Sequence, residues 1–504
     1  MTNMPPVETY KIINDPVHGY IELTKLEHGI LQLATFNRLH HTKQMSMAYL
    51  VYPGAHTTRF VHSVGVLHVA SKMIRQLIES TNDNDWLELF GRKSDSRKRQ
   101  IIQTVRLSAL LHDVGHGPFS HATEQIMLKG LQSHSAEFDS ARRMFGVSDG
   151  KDIPVHEYYS VKLIRTGEIK EAIEQAGISS KEVTSLLLKD ESSRLSGCTK
   201  EGTAILRKVV SSQLDADRMD NLLRDSFMTG AVYGMVDINR LISNLLIRKQ
   251  RDGSRHLVVH ERGLDTVEDV LDARYKMYRW IYNHHMVVAC NELLKRAILE
   301  LIHQNKLSYQ DFYWGRFSKR MITEDYIMSA IVREIAKDKP TPFDGLMDRR
   351  FLPVSLLKRP IDHENFLDLV NKELPSKENI PALLSRVRAW FEKYESREEI
   401  SLKGEARRPW LLAVNSPRTP YKPLMVDRGQ VVEKDKIRIW DQRERTSYEL
   451  TKVSPYFRAV NQVWSEFPSF YFAYVFPGKP KSWGAKPETK KRVLNALVEE
   501  VAAV

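Results

Sequence analysis

The sequence predicts a mainly α-helical protein that carries a smaller α+β lobe at its C-terminal end. Three observations lead there. Apolar residues recur at helical spacing through most of the first 400 residues. Short β-rich runs between Pro- and Gly-containing turns are confined to the region after about residue 400. A chain of 504 residues also exceeds what one hydrophobic core usually holds, about 250–300 residues.

In chain order, Phe60, Val64, Leu67, Ala70, Ile74 and Leu77 repeat at helical spacing over 60–78 and put His62 near a helix start. Residues 81–100 are polar and charged and read as a loop or marginal insertion. A second helix is expected from Ile101 to Asp113, broken by Gly115, Gly117 and Pro118. Helices are then expected at 157–165, 168–175, 180–188, 202–228, 237–247, 263–303, 322–336, 363–373 and 380–397. Strands are expected at Trp410–Val414, Lys436–Trp440 and Phe470–Val475. The division expected is a core over 1–305 and a helical extension with the α+β lobe over 306–504.

Composition narrows the function classes. Hydrophobic content of 42% with 27% charged residues is that of an ordinary soluble protein. No signal peptide is evident in Met1-Thr2-Asn3-Met4-Pro5-Pro6, and no apolar run reaches the ~18–20 residues of a membrane helix. Only Cys198 and Cys290 occur, which excludes a disulfide framework and fits a reducing, cytoplasmic setting. The net charge of +12 favours phosphate-bearing partners without choosing between free nucleotides and polymers. Part of that charge lies in runs such as Arg97-Lys98-Arg99, which ordinarily form a solvated face.

The chemistry centres on His112-Asp113, an imidazole and a carboxylate side by side at the end of an apolar run. His62 upstream and Asp217 downstream complete a candidate metal set. Two imidazoles with two carboxylates suit Mn, Mg, Fe, Ni, Co or Zn better than a thiolate-seeking ion. Four protein ligands on an octahedral metal leave two positions for water or phosphate oxygens, which is a hydrolase's arrangement. His116, His121 and His156 form a second set beside Gly115 and Gly117. Cationic imidazoles would neutralise phosphate charge, and one could protonate a leaving oxygen, effects worth ~10²–10⁴-fold. Asp217, Asp220, Asn221 and Arg224 share one helix face at i, i+3, i+4 and i+7. Arg274, Tyr278 and Tyr282 recur at i, i+4 and i+8, a spacing that ordinarily marks core packing.

The ordered set resembles the HD-domain metal-dependent phosphohydrolases, and the longer strings resemble their dNTP triphosphohydrolase branch. Those strings are Asn14-Asp15-Pro16-Val17-His18-Gly19, Arg59-Phe60-Val61-His62-Ser63, His112 to His121, His156-Glu157 and Asp215 to Asp225, a likeness over roughly 8–300. The resemblance implies an HD-domain helical core and hydrolysis of a dNTP to deoxynucleoside and inorganic triphosphate. It implies that His116 and His121 face the phosphates, that Glu124 orients His121, and that His156 is the third member. Gln44, Met45, Arg59, Arg218, Asn221, Asp225, Arg274, Tyr278 and Tyr282 are implied as substrate contacts. Tyr282 would pack against C2′ and disfavour a ribose.

Lys11 and Asn14 match residues that contact an activating nucleotide. Gln32, Asn37 and His40 replace the residues that recognise guanine in vertebrate members of that branch, which argues against a guanine activator. A homo-oligomer, dimer or tetramer, is implied by the resemblance alone. Two other readings compete: a metal-dependent nuclease or phosphodiesterase on DNA or RNA, encouraged by the basic balance, and a nucleotide sensor without turnover.

Overall fold

The computed structural model describes residues 8–147, 153–188, 194–317, 322–335, 342–349, 354–358, 360–379, 382–383, 385–387, 389–390, 411–414, 426–427, 430–431, 436–466, 472–475 and 487–503. It is mainly α-helical, as expected, and it divides into two compact units interleaved in sequence. The first comprises 1–277, 308–324 and 423–460, and the second 278–307, 325–422 and 461–504. Neither unit is a continuous stretch of chain.

The first unit opens with a hairpin the helical reading missed: β1 (Lys11–Asp15) pairs antiparallel with β2 (Gly19–Leu23). Its turn is closed by Asp15 Oδ1, which accepts from the backbone amides of Val17 and His18 at 2.9 Å each, and by Gly19 at φ 72°. Helix α1 (Lys25–Leu31) follows, started by a capping box between Thr24 and Glu27.

The centre of this unit is α2 (Arg59–Ser80), which packs along α4 (Asp95–Leu111) and α11 (Ala216–Thr229). Residues 81–100 are not a loop: α3 (Asp83–Phe90) and the first turns of α4 occupy them. Asn82 and Ser94 cap these helices, and Trp86, Leu89 and Phe90 bury an apolar face. Helices α5 (Glu124–Gln132), α6 (Ser135–Phe145), α7 (Val155–Ile164), α8 (Gly167–Gln175) and α9 (Ser180–Ser185) then wrap this centre.

The helix expected over 202–228 is two, α10 (Lys200–Val210) and α11, because Asp215 starts the second as its N-cap. Over 237–247 a short α12 (Ile238–Ser243) gives way to β3 (Leu245–Lys249), paired with β4 (Arg255–His260). The continuous buried apolar run Leu245-Leu246-Ile247 overrides the helical spacing. The long helix expected over 263–303 stops as α13 (Leu264–Met277), passes through a π-helical turn at Tyr278–Tyr282, and restarts as α14 (His285–His303) in the second unit.

One expected lobe strand belongs elsewhere. Arg438–Asp441 lies parallel to β4 and pairs with Thr446–Glu449, so both complete the sheet of the first unit. Leu411–Val414 and Phe472–Val475 do pair, with Val354–Ser355, in a three-stranded antiparallel sheet of the second unit. There Phe366, Val370, Trp390, Val493, Leu497 and Val501 form a buried cluster. Most of the helix expected over 380–397 lies outside the described residues. Among the described residues, no helix is long and apolar enough to cross a membrane.

Candidate metal centre

His62 sits on the first turn of α2, fully buried. His112 is the C-cap of α4 and Asp113 follows it into the loop, while Asp217 rides the first turn of α11. Three distant segments thus deliver four side chains to one point. His62 Nε2 lies 3.1 Å from Asp217 Oδ1 and 3.6 Å from Asp113 Oδ2. His112 Nε2 lies 3.4 Å from Asp113 Oδ1 and 3.7 Å from Asp217 Oδ1.

The other ring nitrogens fix both imidazoles. His112 Nδ1 donates to the Ala109 carbonyl at 2.7 Å, and His62 Nδ1 donates to Asp220 Oδ2 at 2.7 Å. That leaves each Nε2 buried and without a hydrogen bond, facing the shared point. Burial disfavours charge on His62, but Asp217 and Asp220 outweigh it and raise its pKa to about 10. His112 is raised the same way by Asp113 and Asp217 against its own burial. The carboxylates draw positive charge to this place, and a divalent cation would supply it in place of two protons. Two imidazole nitrogens and two carboxylates fit such an ion. Three of the four ligand atoms, from His62, His112 and Asp217, lie within 4.8 Å of one another.

Asp113 also pairs with Arg59 Nη1, and burial notwithstanding, Arg59 and His112 keep its carboxyl well below the usual range. Arg59 Nε donates to Ser120 Oγ at 2.9 Å. The loop after Asp113 is tightly held. A Cβ on Gly115 would lie 2.2 Å from the His156 carbonyl and from Ser160 N, so only glycine lets the loop approach α7. Arg38 is buried beneath it, its guanidinium donating to the Val114 and His116 carbonyls, and burial pushes its pKa down to about 9.

This loop brings the second set together. The rings of His116 and His156 stack at 4.1 Å, and His121 meets them edge-on at 4.9 and 5.3 Å. Glu124 joins two of them, bonding His156 Nδ1 and lying 3.3 Å from His121 Nδ1. Burial opposes charge on His156, yet Glu124 raises its pKa above the ordinary value. His116 goes the other way: burial and the charges of Arg59 and His156 lower it well below, so this imidazole is neutral.

Of the expected substrate contacts, Gln44 and Asn221 reach the centre, as does Arg59 through Asp113. Gln44 Nε2 donates to Asn221 Oδ1 at 2.5 Å, and Asn221 Nδ2 donates to Asp217 Oδ1 at 2.8 Å. Met45 is buried beside Gln44, and Asp225 is buried further along α11. Arg218 turns to Asp215 and the Ser212 carbonyl. Arg274 donates to Gln213 Oε1 at 3.0 Å. Tyr278 and Tyr282 belong to the second unit, their rings 5.0 Å apart. Lys11 and Asn14 are exposed on β1.

Sequence reasoning assigns no role to the layer behind the metal ligands. Asp220 is fully buried and binds His62 Nδ1, His18 Nε2 at 2.6 Å, and Arg224 Nε and Nη2 at 2.9 Å each. Arg224 also reaches Asp15 at 2.8 Å. The shared helix face of Asp217, Asp220 and Arg224 is the signal that could have found it.

The HD domain model matches residues 59–176 and an HD associated region matches 236–351. An uncharacterized protein of Methanocaldococcus jannaschii is 28% identical over 73% of this chain and 66% of its own length. The deoxynucleoside triphosphate triphosphohydrolase SAMHD1 of Bos taurus is 28% identical over 58% of this chain and 48% of its own. The chain spans 63–66% of the length of three uncharacterized relatives, from M. jannaschii, Bacillus subtilis and Mycoplasma pneumoniae. The crystal structure of a phosphohydrolase from Bacteroides thetaiotaomicron has the same fold, with TM-score 0.61 at 22% identity, covering 93% of this chain and all of that one. The chain therefore carries an HD domain followed by an HD-associated region.

Proposed function

We propose that this HD-domain protein is a divalent-metal-dependent dNTP triphosphohydrolase, converting a dNTP and water to a deoxynucleoside and inorganic triphosphate. One observation carries the reading: the unbonded Nε2 atoms of His62 and His112 face Asp113 and Asp217 from three separate segments. The likeness to SAMHD1 of Bos taurus supports the substrate class. Bound there, a cation would act as Lewis acid on a phosphoryl oxygen and lower the pKa of a water.

The remaining steps belong to side chains. Arg59 and His156 offer positive charge to the phosphates, and Arg218 and Arg274 are the further phosphate contacts implied by the resemblance. Glu124 holds the His156 proton in place. Water adds to the α-phosphorus, the bond to the 5′ oxygen breaks, that oxygen takes a proton from His121 or its neighbour His156, and the proton lost by the water restores that histidine. Gln44, Met45, Asn221 and Asp225 serve sugar and base. By the same resemblance we assign Lys11 and Asn14 to an activating nucleotide and expect a homo-oligomer, and the cysteine usage fits a cytoplasmic one.

The test is to incubate the metal-loaded protein with each of the eight dNTPs and NTPs and resolve the products by chromatography. Deoxynucleoside with triphosphate is expected. Release of dNMP and pyrophosphate, or no turnover with Mn, Mg, Fe and Co, rejects it.

A further inference from the structure

Phe119 and Ser120 have φ of 60° and 52°, a left-handed conformation that residues with a side chain rarely adopt. They lie beside the candidate centre, where Ser120 Oγ accepts from Arg59 Nε and itself donates to the Lys43 carbonyl at 2.6 Å. Such backbone persists only when its surroundings over-determine it.

What determines it comes from outside the HD domain match. Glu324 is buried at 2% exposure. Its Oε1 accepts from the amides of Lys43 at 2.7 Å and Phe119 at 2.8 Å, and its Oε2 pairs with Lys43 Nζ at 2.7 Å. One oxygen therefore joins two loops that are far apart in sequence. The first carries Gln44 and bridges to Thr58, next to Arg59. The second carries Ser120 and His121. Arg59 is gripped between them, its amide donating to the Thr42 carbonyl at 2.8 Å and its guanidinium to Ser120 and Asp113.

Glu324 ends a segment, 308–324, that returns to the first unit from the second. The segment is anchored independently. Tyr313 and Trp314 bond Glu137, and Gly130 admits the Tyr309 carbonyl where a Cβ would lie 2.5 Å away.

We propose that Glu324 is a positioning residue for the reaction: by tying Lys43 to Phe119 it sets the left-handed turn that aims Arg59 at the phosphates. Arg59 as a phosphate ligand rests on the proposed function, whereas the clamp itself rests on geometry alone.

Full-length Glu324→Ala and Glu324→Gln proteins test it, each assayed for dNTP turnover, bound metal and amide hydrogen exchange. Glutamine keeps an acceptor at Oε1 and should retain both amide bonds. Alanine removes both, so exchange should rise in peptides holding Lys43 and Phe119. With misplaced Arg59, kcat should fall at least about tenfold. KM and bound metal should stay near wild type, and glutamine should restore most of kcat. Unchanged exchange and kcat in the alanine variant overturns the proposal. So does an equal loss of kcat in both variants accompanied by lost metal, which would mark a merely structural role. A wild-type protein inert toward every dNTP would remove the functional reading, and exchange at the two peptides would then decide the clamp by itself.

Discussion

Asp220 stands between His62 and His18, with one carboxylate oxygen 2.7 Å from His62 Nδ1 and the other 2.6 Å from His18 Nε2. The Nε2 of His62, a candidate metal ligand, is thus aimed by a residue outside the candidate metal set, and the N-terminal hairpin is wired to the centre. Outer partners of this kind typically govern metal affinity by about 10–100-fold. Asp220→Asn keeps the size but loses the charge and one acceptor. We expect weaker metal binding of that order, read by chelator competition, with circular dichroism unchanged. Wild-type affinity in this variant would show that Asp220 is only a partner for Arg224.

Asp217 and Asp215 are two residues apart and should behave oppositely. Asp217 faces His62 and His112, and Asp215 caps α11 by accepting from the Arg218 and Ser212 amides at 2.8 Å each. Asp217→Ala should lose bound metal and all turnover while folding normally. Asp215→Ala should retain the metal but lose about 1 kcal/mol of stability, the usual worth of a cap. Metal analysis and thermal melts on both proteins separate the roles, and metal loss only in the Asp215 variant would invert the assignment.

The Glu124–His156 pair sets a pH window. Burial disfavours both charges, but each partner keeps the other ionised: His156 is raised above its ordinary 6.5 and Glu124 is held well below its ordinary 4.5. For a raised histidine, the stabilisation is complete below 6.5 and lost as pH rises through the folded value. For a depressed carboxylate, it is complete above 4.5 and lost as pH falls through the folded value. The pair contributes fully between those ordinary values and fades outside them. Glu124→Gln removes the strongest opposition to burial, leaving only the weaker pull of Glu157 and Asp113, so the His156 pKa should drop and the alkaline limb of kcat/KM should move to lower pH. A limb that stays in place would show that His156 is not the proton-carrying group.

Much of the centre is legible in the amino-acid sequence. His62, His112, Asp113 and Asp217 are distant along the chain, but their residue types and order are distinctive, and the fold brings them together. Helices are legible where apolar spacing is long and regular, as in α2 and α4. The reading fails where a local device overrides spacing: the Asp215 cap that splits 202–228, the π-helical turn at 278–282, and the strands of 245–260. The return of 308–324 and of 438–449 to the first unit cannot be read, since nothing local in those residues names a partner 200 residues away. Glu324 is invisible for the same reason. A lone glutamate has no pattern until Lys43 and Phe119 are seen beside it.

Gly65 offers a test of the layer behind His62 that does not alter any polar group. In a helix interior, Gly→Ala ordinarily stabilises by about 0.5–1 kcal/mol through backbone entropy. Gly29 in α1 is such a site, with nothing within 4 Å of an added Cβ, and Gly29→Ala should raise the melting temperature. At Gly65 the added Cβ would lie 2.0 Å from Asp220 Oδ1 and 2.3 Å from Arg224 Nη2. Neither can retreat, because Asp220 is held by His18 and His62 and Arg224 by Asp15. The sign should therefore reverse, to a loss of about 1–3 kcal/mol, as for other overpacked interiors. Displacing Asp220 should also misdirect His62, so metal affinity should fall together with stability. A Gly65→Ala protein that melts higher and binds metal normally would mean the carboxylate can move without consequence, and the link from hairpin to metal centre would be lost.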